Sequence, residues 1–308
     1  MIAGQDPGFA DAARQLYDLL LRPAEDQLKS NSTLCIIPDG PLWDLPFQAL
    51  QPGDNRYLLE NYVIYYSPSL SVLKELSRRR KSSDRLSTSV LAFGNPRITP
   101  EIAINLNAVY RSDVLAPLPE AEIEVNALKE IWRPSPSRIF IGASAGKTNF
   151  KTEAGKYRII HLATHGILDD GNPMYSRLVM ARTENDPDDD GMLEAREIMQ
   201  LDLRADLVVL SACQTARGRF SAGEGMVGMS WAFLVAGVPT MVASQWKVDS
   251  ASTATLMINF HKRLKGGTAS GRSAKAAALQ QAALDLMRES RYRHPFFWAG
   301  FVLIGNGN

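Results

Sequence analysis

The sequence predicts an α/β fold, a three-layer sandwich with helices on both faces of a mostly parallel β-sheet. Three observations point there. Two short apolar runs, Tyr157-Arg158-Ile159-Ile160-His161-Leu162-Ala163-Thr164-His165-Gly166 and Asp206-Leu207-Val208-Val209-Leu210-Ser211-Ala212-Cys213-Gln214-Thr215, are rich in Ile, Val and Leu and bounded by polar residues or Gly. Such runs are the mark of strands buried on both sides. From Val90 onward, runs of this kind alternate with helix-length stretches, the pattern of parallel strands joined by crossover helices. Finally, 308 residues with 45% hydrophobic and 22% charged composition are enough to bury a sizeable core.

Taken in order, residues 9–29 carry apolar side chains at Phe9, Ala13, Leu16, Leu20, Leu21 and Leu28, a helical spacing broken near Pro23. "TLCIIPDGPLWDLPFQAL" reads as a strand, a turn at Pro38-Asp39-Gly40 and a tight second segment. "LLENYVIYYSPS" is a further strand, followed by a short helix over 70–76. Residues 78–89 are charged and Ser-rich, the best internal boundary, dividing an N-terminal α/β subdomain (1–86) from the main domain (87–308). Then follow strand "VLAFGNP", helix 121–131, strand "RIFIG", helix 148–156 and the His165 strand. The segment "SRLVMAR", helix 193–201 and the Cys213 strand come next. Helix 226–236, strand "TMVASQW", helices 252–264 and 273–288 and strand "WAGFVLIG" close the chain.

In a parallel sheet, ligands and chemistry collect at the carboxyl ends of the strands, where His165 and Cys213 stand. A thiolate is a strong nucleophile, and an imidazole can take its proton. Gly166 lets backbone approach a substrate closely, and its N–H suits an oxyanion hole. Free cysteine is also among the most buried and inert residue types, so spacing alone leaves both readings open.

Longer motifs add to this. "HLATHG", "LVVLSACQTARG", "GEGMVGMSWAFLVAGVPTMVASQWKVD" and "HPFFWAGFVLIGNG", with "LCIIPDGPLWDLPFQAL", "VIYYSPSLSVL" and "LAFGNP…LPEAEIEV" upstream, resemble the CHAT domain, a bacterial branch of the caspase- and separase-like cysteine peptidases. The resemblance covers nearly the whole chain and implies a caspase-like fold. It implies a cysteine endopeptidase with His165 as general base and Cys213 as nucleophile, and the N–H groups of Gly166 and Cys213 would hold the oxyanion. No third member of the dyad can be named. It places a specificity pocket in Ser244-Gln245-Trp246-Lys247-Val248-Asp249-Ser250, with Trp246 as a wall and Asp249 as acceptor for a basic group, unless Lys247 neutralises it or favours an acid. The usual second acid is replaced by Ser250. The implied partners are a protein substrate and an activating partner or N-terminal repeat module, since many relatives carry helical repeats ahead of this domain. Relatives serve in bacterial defence. The rival expectation is a catalytically silent interaction scaffold. Residues 217–225, after the nucleophile, are expected to order on substrate binding.

Other chemistry is weaker. A net charge of +1 gives no footprint for nucleic acid or an anionic membrane. No run of about 18 apolar residues suggests a membrane span, and no signal peptide is visible. Cys35 and Cys213 both fall in strand-like runs, so the expectation is a reducing cytoplasm without disulfides. "GASAGKT" is one residue short of a phosphate-binding loop. His161 and His165 lie on one strand, about 13 Å apart by strand rise, too far for one metal; His161 reads as a core or supporting residue, His261 as helix surface and His294 as a turn. No cofactor is required. The run Asp186 to Glu197, however, fits a calcium loop through Asp186, Asp188, Asp190 and Glu197, with Gly191 at the sixth position; a solvated acidic loop is the alternative.

Overall fold

A computed structural model of the chain describes residues 1–6, 8–28, 32–53, 55–79, 89–99, 115–169, 171–183, 186, 189–211, 224–267 and 273–307. The side chains of Arg79 and of residues 224–227 are outside this description. The strands are β1 (Thr33–Ile36), β2 (Val63–Tyr66), β3 (Val90–Pro96), β4 (Ser137–Gly142), β5 (Ile159–Ala163), β6 (Gly166–Ile167), β7 (Arg177–Val179), β8 (Met192–Glu194), β9 (Leu207–Leu210), β10 (Thr240–Ser244) and β11 (Phe301–Gly305). The helices are α1 (Phe9–Leu20), α2 (Leu58–Asn61), α3 (Leu70–Arg79), α4 (Pro119–Ile131), α5 (Lys147–Glu153), α6 (Ala195–Ile198), α7 (Glu224–Val235), α8 (Ser250–Lys265), α9 (Ala274–Met287) and α10 (Pro295–Trp298).

Eight strands form one sheet in the order β1-β2-β11-β10-β9-β5-β3-β4. Every neighbouring pair is parallel except β10 and β11. The mostly parallel α/β sheet expected from the sequence is therefore present. β1 and β2, which precede residue 87, share this sheet with the later strands through the β2–β11 pairing. A separate antiparallel sheet, β6-β7-β8, grows directly from the end of β5.

Alternation along the strands sorts their side chains into two apolar layers. Ile160 and Leu162 of β5, Val208 and Leu210 of β9, and Leu91 and Phe93 of β3 join a cluster with Tyr17, Phe150 and Phe233. Ile159, Ala163, Leu207, Val209, Val90 and Ala92 face the other way, into a cluster with Val125 and Leu128 of α4 and Leu256, Met257 and Phe260 of α8. Burial on both faces is why these strands read as continuous apolar runs.

Two expectations change. A helix over 193–201 is replaced by β8 and the single turn α6: Leu193 pairs with Leu178, and the Glu197 carboxylate accepts the Glu194 N–H at 2.9 Å, starting the helix two residues late. His261 is not on the helix surface but fully buried, because α8 turns that side toward the sheet. Gly94, near the end of β3, shows how closely the layers approach: a Cβ there would lie 2.7 Å from Val125 Cγ2 and 2.9 Å from the Ala121 carbonyl. Gly94→Ala should therefore lower stability by about 1–3 kcal/mol through overpacking, read as a shift in the urea midpoint. An unchanged midpoint would mean α4 is not seated against β3 in this way.

Candidate active site

β5 and β9 are parallel neighbours with Leu162 opposite Leu210. In sequence, His165 and Cys213 each follow that matched pair by three residues. Cys213 lies outside the described residues, as do residues 217–223 of the expected ordering loop, so the geometry is built from the histidine side. His165 is fully buried between β5 and β6. Its carbonyl accepts the Val179 N–H at 2.8 Å, and the Thr164 hydroxyl donates to the Val179 carbonyl. These bonds lock the backbone on both sides of the imidazole. Gly166 follows at once as the first residue of β6, paired with Leu178.

Among the described residues the ring is held by one bond, from Nε2 to the Ala116 carbonyl at 2.8 Å. A carbonyl only accepts, so Nε2 carries the hydrogen. Nδ1 is then the lone-pair nitrogen, and it is buried with no hydrogen-bond partner among the described residues. Burial first, and the positive charge of Lys247 second, hold the imidazole below its ordinary pKa, against the opposing effect of the Ala116 bond. The imidazole is held neutral and in one orientation.

Ala116 is the functional group that sequence reasoning missed. It acts through its main chain, which no residue type announces. The segment presenting it is fixed by Asn95, which departs from β3 with a positive φ of 44°. Asn95 Oδ1 accepts the Leu118 N–H at 2.7 Å, while its Nδ2 donates to Glu122 at 2.8 Å. His161, four residues earlier on β5, bonds Glu124 and His261 instead of approaching His165.

The expected pocket residues divide. Trp246 is half-buried, and its Nε1–H donates to the Phe296 carbonyl at 3.2 Å, a braced wall beyond the end of β10. Asp249 is committed as the N-cap of α8, accepting the Ser252 N–H at 2.9 Å. Lys247 between them is exposed.

In the acidic loop, Asp190 and Glu197 converge on a lysine. Lys147 Nζ lies 3.1 Å from Asp190 and 3.0 Å from Glu197, and Lys151 reaches Glu197 at 2.8 Å. Burial raises the Glu197 carboxyl, but the bonds from Lys151, the Glu194 N–H and Lys147 prevail and hold it below its ordinary range. Asp188 is outside the described residues, and Asp186 donates its N–H to the Thr183 carbonyl. Among the described residues no group of three acidic, His or Cys side chains is arranged to hold a metal. The lysine of "GASAGKT" is the cation that stands between Asp190 and Glu197.

A mostly parallel sheet with helices on both faces is the caspase-like architecture. Within that class the chain belongs to the CHAT domain family, whose model matches residues 10–306. It is similar to tetratricopeptide repeat protein 28 of Mus musculus and of Homo sapiens, 28% identical over 337 aligned positions covering 95% of this chain and 13% of each relative. The chain thus spans about an eighth of the length of those relatives. Its fold is shared with Saccharomyces cerevisiae separase in complex with securin, at TM-score 0.51, 14% identity, 85% of this chain and 15% of that one. It is shared also with the Arg-specific cysteine proteinase gingipain R, at TM-score 0.55, 12% identity, 97% of this chain and 67% of that one. Among the described residues no helix is long and apolar enough to cross a membrane.

Two outcomes follow from this geometry. Between the lowered pKa of folded His165 and its ordinary value of 6.5, the unfolded chain binds a proton that the folded chain refuses. Its stabilising contribution is full above that value and is lost as pH falls through the window. The melting temperature should fall between about pH 7 and about pH 5, and less steeply in His165→Asn; parallel curves would contradict a buried neutral base. Asp249→Ala should cost about 0.5–2 kcal/mol through loss of the cap, while Asp249→Asn stays near wild type. Equal melting of all three proteins would release Asp249 for substrate.

Proposed function

We propose that this domain is a cysteine endopeptidase acting on a protein substrate, with Cys213 as nucleophile and His165 as base. One observation carries it: beyond the carboxyl end of β5, His165 keeps a desolvated Nδ1 that no described residue bonds, while a main-chain carbonyl fixes Nε2–H. That arrangement suits a group that must take a proton and return it. Nδ1 removes the thiol proton, and Cys213 Sγ forms a bond to the scissile carbonyl carbon. The oxygen takes up the negative charge, held by the N–H groups of Gly166 and Cys213. As the tetrahedral species collapses, the C–N bond breaks and His165 gives its proton to the leaving amine. Water, deprotonated by the same nitrogen, then hydrolyses the thioester and frees the thiol.

For substrate choice, Asp249 is engaged as a cap and Lys247 is the exposed charge next to Trp246. This favours an acidic group near the scissile bond over a basic one. Activity is switched by a partner or by a repeat module of the longer protein, a reading supported by the small share of the repeat-protein relatives that the chain covers. The same relatives, named for repeats, favour a second reading as a silent interaction scaffold.

An iodoacetamide-type probe separates the two. Wild-type protein should be alkylated at Cys213 near neutral pH, faster than a free thiol, and Cys213→Ala should lose that label. His165→Ala should slow it, and should slow substrate turnover by roughly 10²–10⁴-fold, with melting changed by only a few degrees. A Cys213 that reacts no faster than a simple thiol, indifferent to His165→Ala, leaves the scaffold reading.

A further inference from the structure

On the sheet face covered by α4 and α8, the apolar layer is interrupted by five polar side chains joined end to end. Trp132 Nε1–H donates to His261 Nδ1 at 3.1 Å. His261 Nε2 meets His161 Nδ1 at 3.1 Å. His161 Nε2 meets Glu124 Oε1 at 2.6 Å, and Ser211 Oγ donates to Glu124 Oε2 at 3.1 Å. Both histidines are 0% exposed, Glu124 2% and Ser211 4%.

The chain admits one placement of hydrogens. An indole N–H can only donate, so His261 Nδ1 accepts. Burial first, with His161 beside it second, pushes His261 well below its ordinary pKa; it is neutral, and its one hydrogen is on Nε2. That hydrogen goes to His161 Nδ1, which leaves the His161 hydrogen on Nε2, donated to Glu124. Glu124 takes its second hydrogen bond from Ser211 and acts as a two-handed acceptor.

A carboxyl group buried on an apolar face is poorly explained as a stabiliser, since well-packed apolar side chains often serve as well or better. Its distinctive feature is what it connects. His161 stands on β5 four residues before His165, and Ser211 follows β9 two residues before Cys213. Glu124 lies on α4, whose lead-in presents the Ala116 carbonyl to His165. One carboxylate thus holds three segments that meet at the site.

We propose that Glu124, bonded to His161 and Ser211, is a positioning group for the dyad, fixing the carboxyl ends of β5 and β9 relative to each other and to α4. This rests on the peptidase reading above, and the test separates the two. The measurement is the rate of iodoacetamide alkylation at Cys213 across about pH 5 to 9, read peptide by peptide by mass spectrometry so that Cys35 serves as an internal control. The proteins compared are wild type, Ser211→Ala, Ser211→Thr, Glu124→Gln, their Glu124→Gln/Ser211→Ala combination, and His165→Ala.

Ser211→Ala and Glu124→Gln should each slow Cys213 alkylation by roughly tenfold, the scale of coupling between residues acting as a unit. Their pH–rate midpoints should move toward that of His165→Ala, with Cys35 labelling unchanged. Ser211→Thr, which keeps the hydroxyl, should recover most of the wild-type rate, and the double variant should be no slower than the slower single one. If His165→Ala slows alkylation while Ser211→Ala and Glu124→Gln do not, the dyad stands and the positioning role is overturned. Equal slowing by Ser211→Ala and Ser211→Thr also overturns it, because packing and not the hydroxyl would then matter. If His165→Ala has no effect, the dyad is wrong and the positioning role falls with it. Should Glu124→Gln fail to fold, Ser211→Ala against Ser211→Thr decides the matter, since that change removes only one hydroxyl.

Discussion

Parallel hydrogen bonding between β5 and β9 is the constraint on which the site depends. Two parallel neighbours leave the sheet at the same edge, and the pairing of Leu162 with Leu210 brings the carboxyl ends of both strands to one level. A slip of one residue would reverse every side chain on β9, sending Val208 and Leu210 to the face that Leu207 and Val209 now occupy. The register is specified because each face has its own apolar layer, so the packing energy of the core and the alignment of the site are set by the same contacts.

His165 is placed by more than its strand. The pairing of β6 with β7 fixes the backbone on its far side, and a carbonyl from the start of α4 fixes the ring. That carbonyl depends in turn on Asn95, whose amide side chain receives the Leu118 N–H. The close contact of Gly94 with Ala121 and Val125 holds the same helix against β3. A glycine and an asparagine at the end of one strand thus set which nitrogen of the histidine beyond the neighbouring strand bonds the Ala116 carbonyl. Among the described residues no side-chain acid bonds the ring; a main-chain carbonyl orients it.

The strands were legible in the sequence because burial on both faces makes them continuous apolar runs, and their alternation with helices left few topologies open. His165 was legible for the same reason: a polar side chain just past such a run stands at the edge where chemistry collects. Other features were hidden. Ala116 acts through its carbonyl, and alanine carries no sign of that. His261 read as surface because a single polar residue in an amphipathic helix gives no hint of a buried partner on a distant strand. In the acidic run 186–197, the pairing of Gly146 with Ala181 brings Lys147 to Asp190 from 43 residues away, a contact that residue type does not announce. Composition shows which ligands are present, but only tertiary contact shows which cation reaches them.

Strand polarity explains how the chain beyond β10 is braced. β10 and β11 are the one antiparallel pair of the large sheet, so β11, β2 and β1 run against the strands that carry the chemistry. It is therefore the start of β11, not its end, that lies beside the end of β10, with Phe301 opposite Ser244. The chain entering β11 passes along the edge where Gln245 and Trp246 emerge. Gln245 N–H donates to the Gly300 carbonyl at 2.7 Å, and Trp246 donates to the Phe296 carbonyl. Gly300 has no side chain where one would meet Val248 Cγ1 at 2.7 Å and Trp246 Nε1 at 3.2 Å. The N-terminal residues reach the same edge through a loop: the Gln245 amide donates to the Trp43 carbonyl at 2.8 Å, and Gln48 donates to the Ala299 carbonyl at 2.5 Å. Reversing the sheet at β10–β11 thus recruits both ends of the chain to brace a tryptophan that β10 alone would leave at a free strand end.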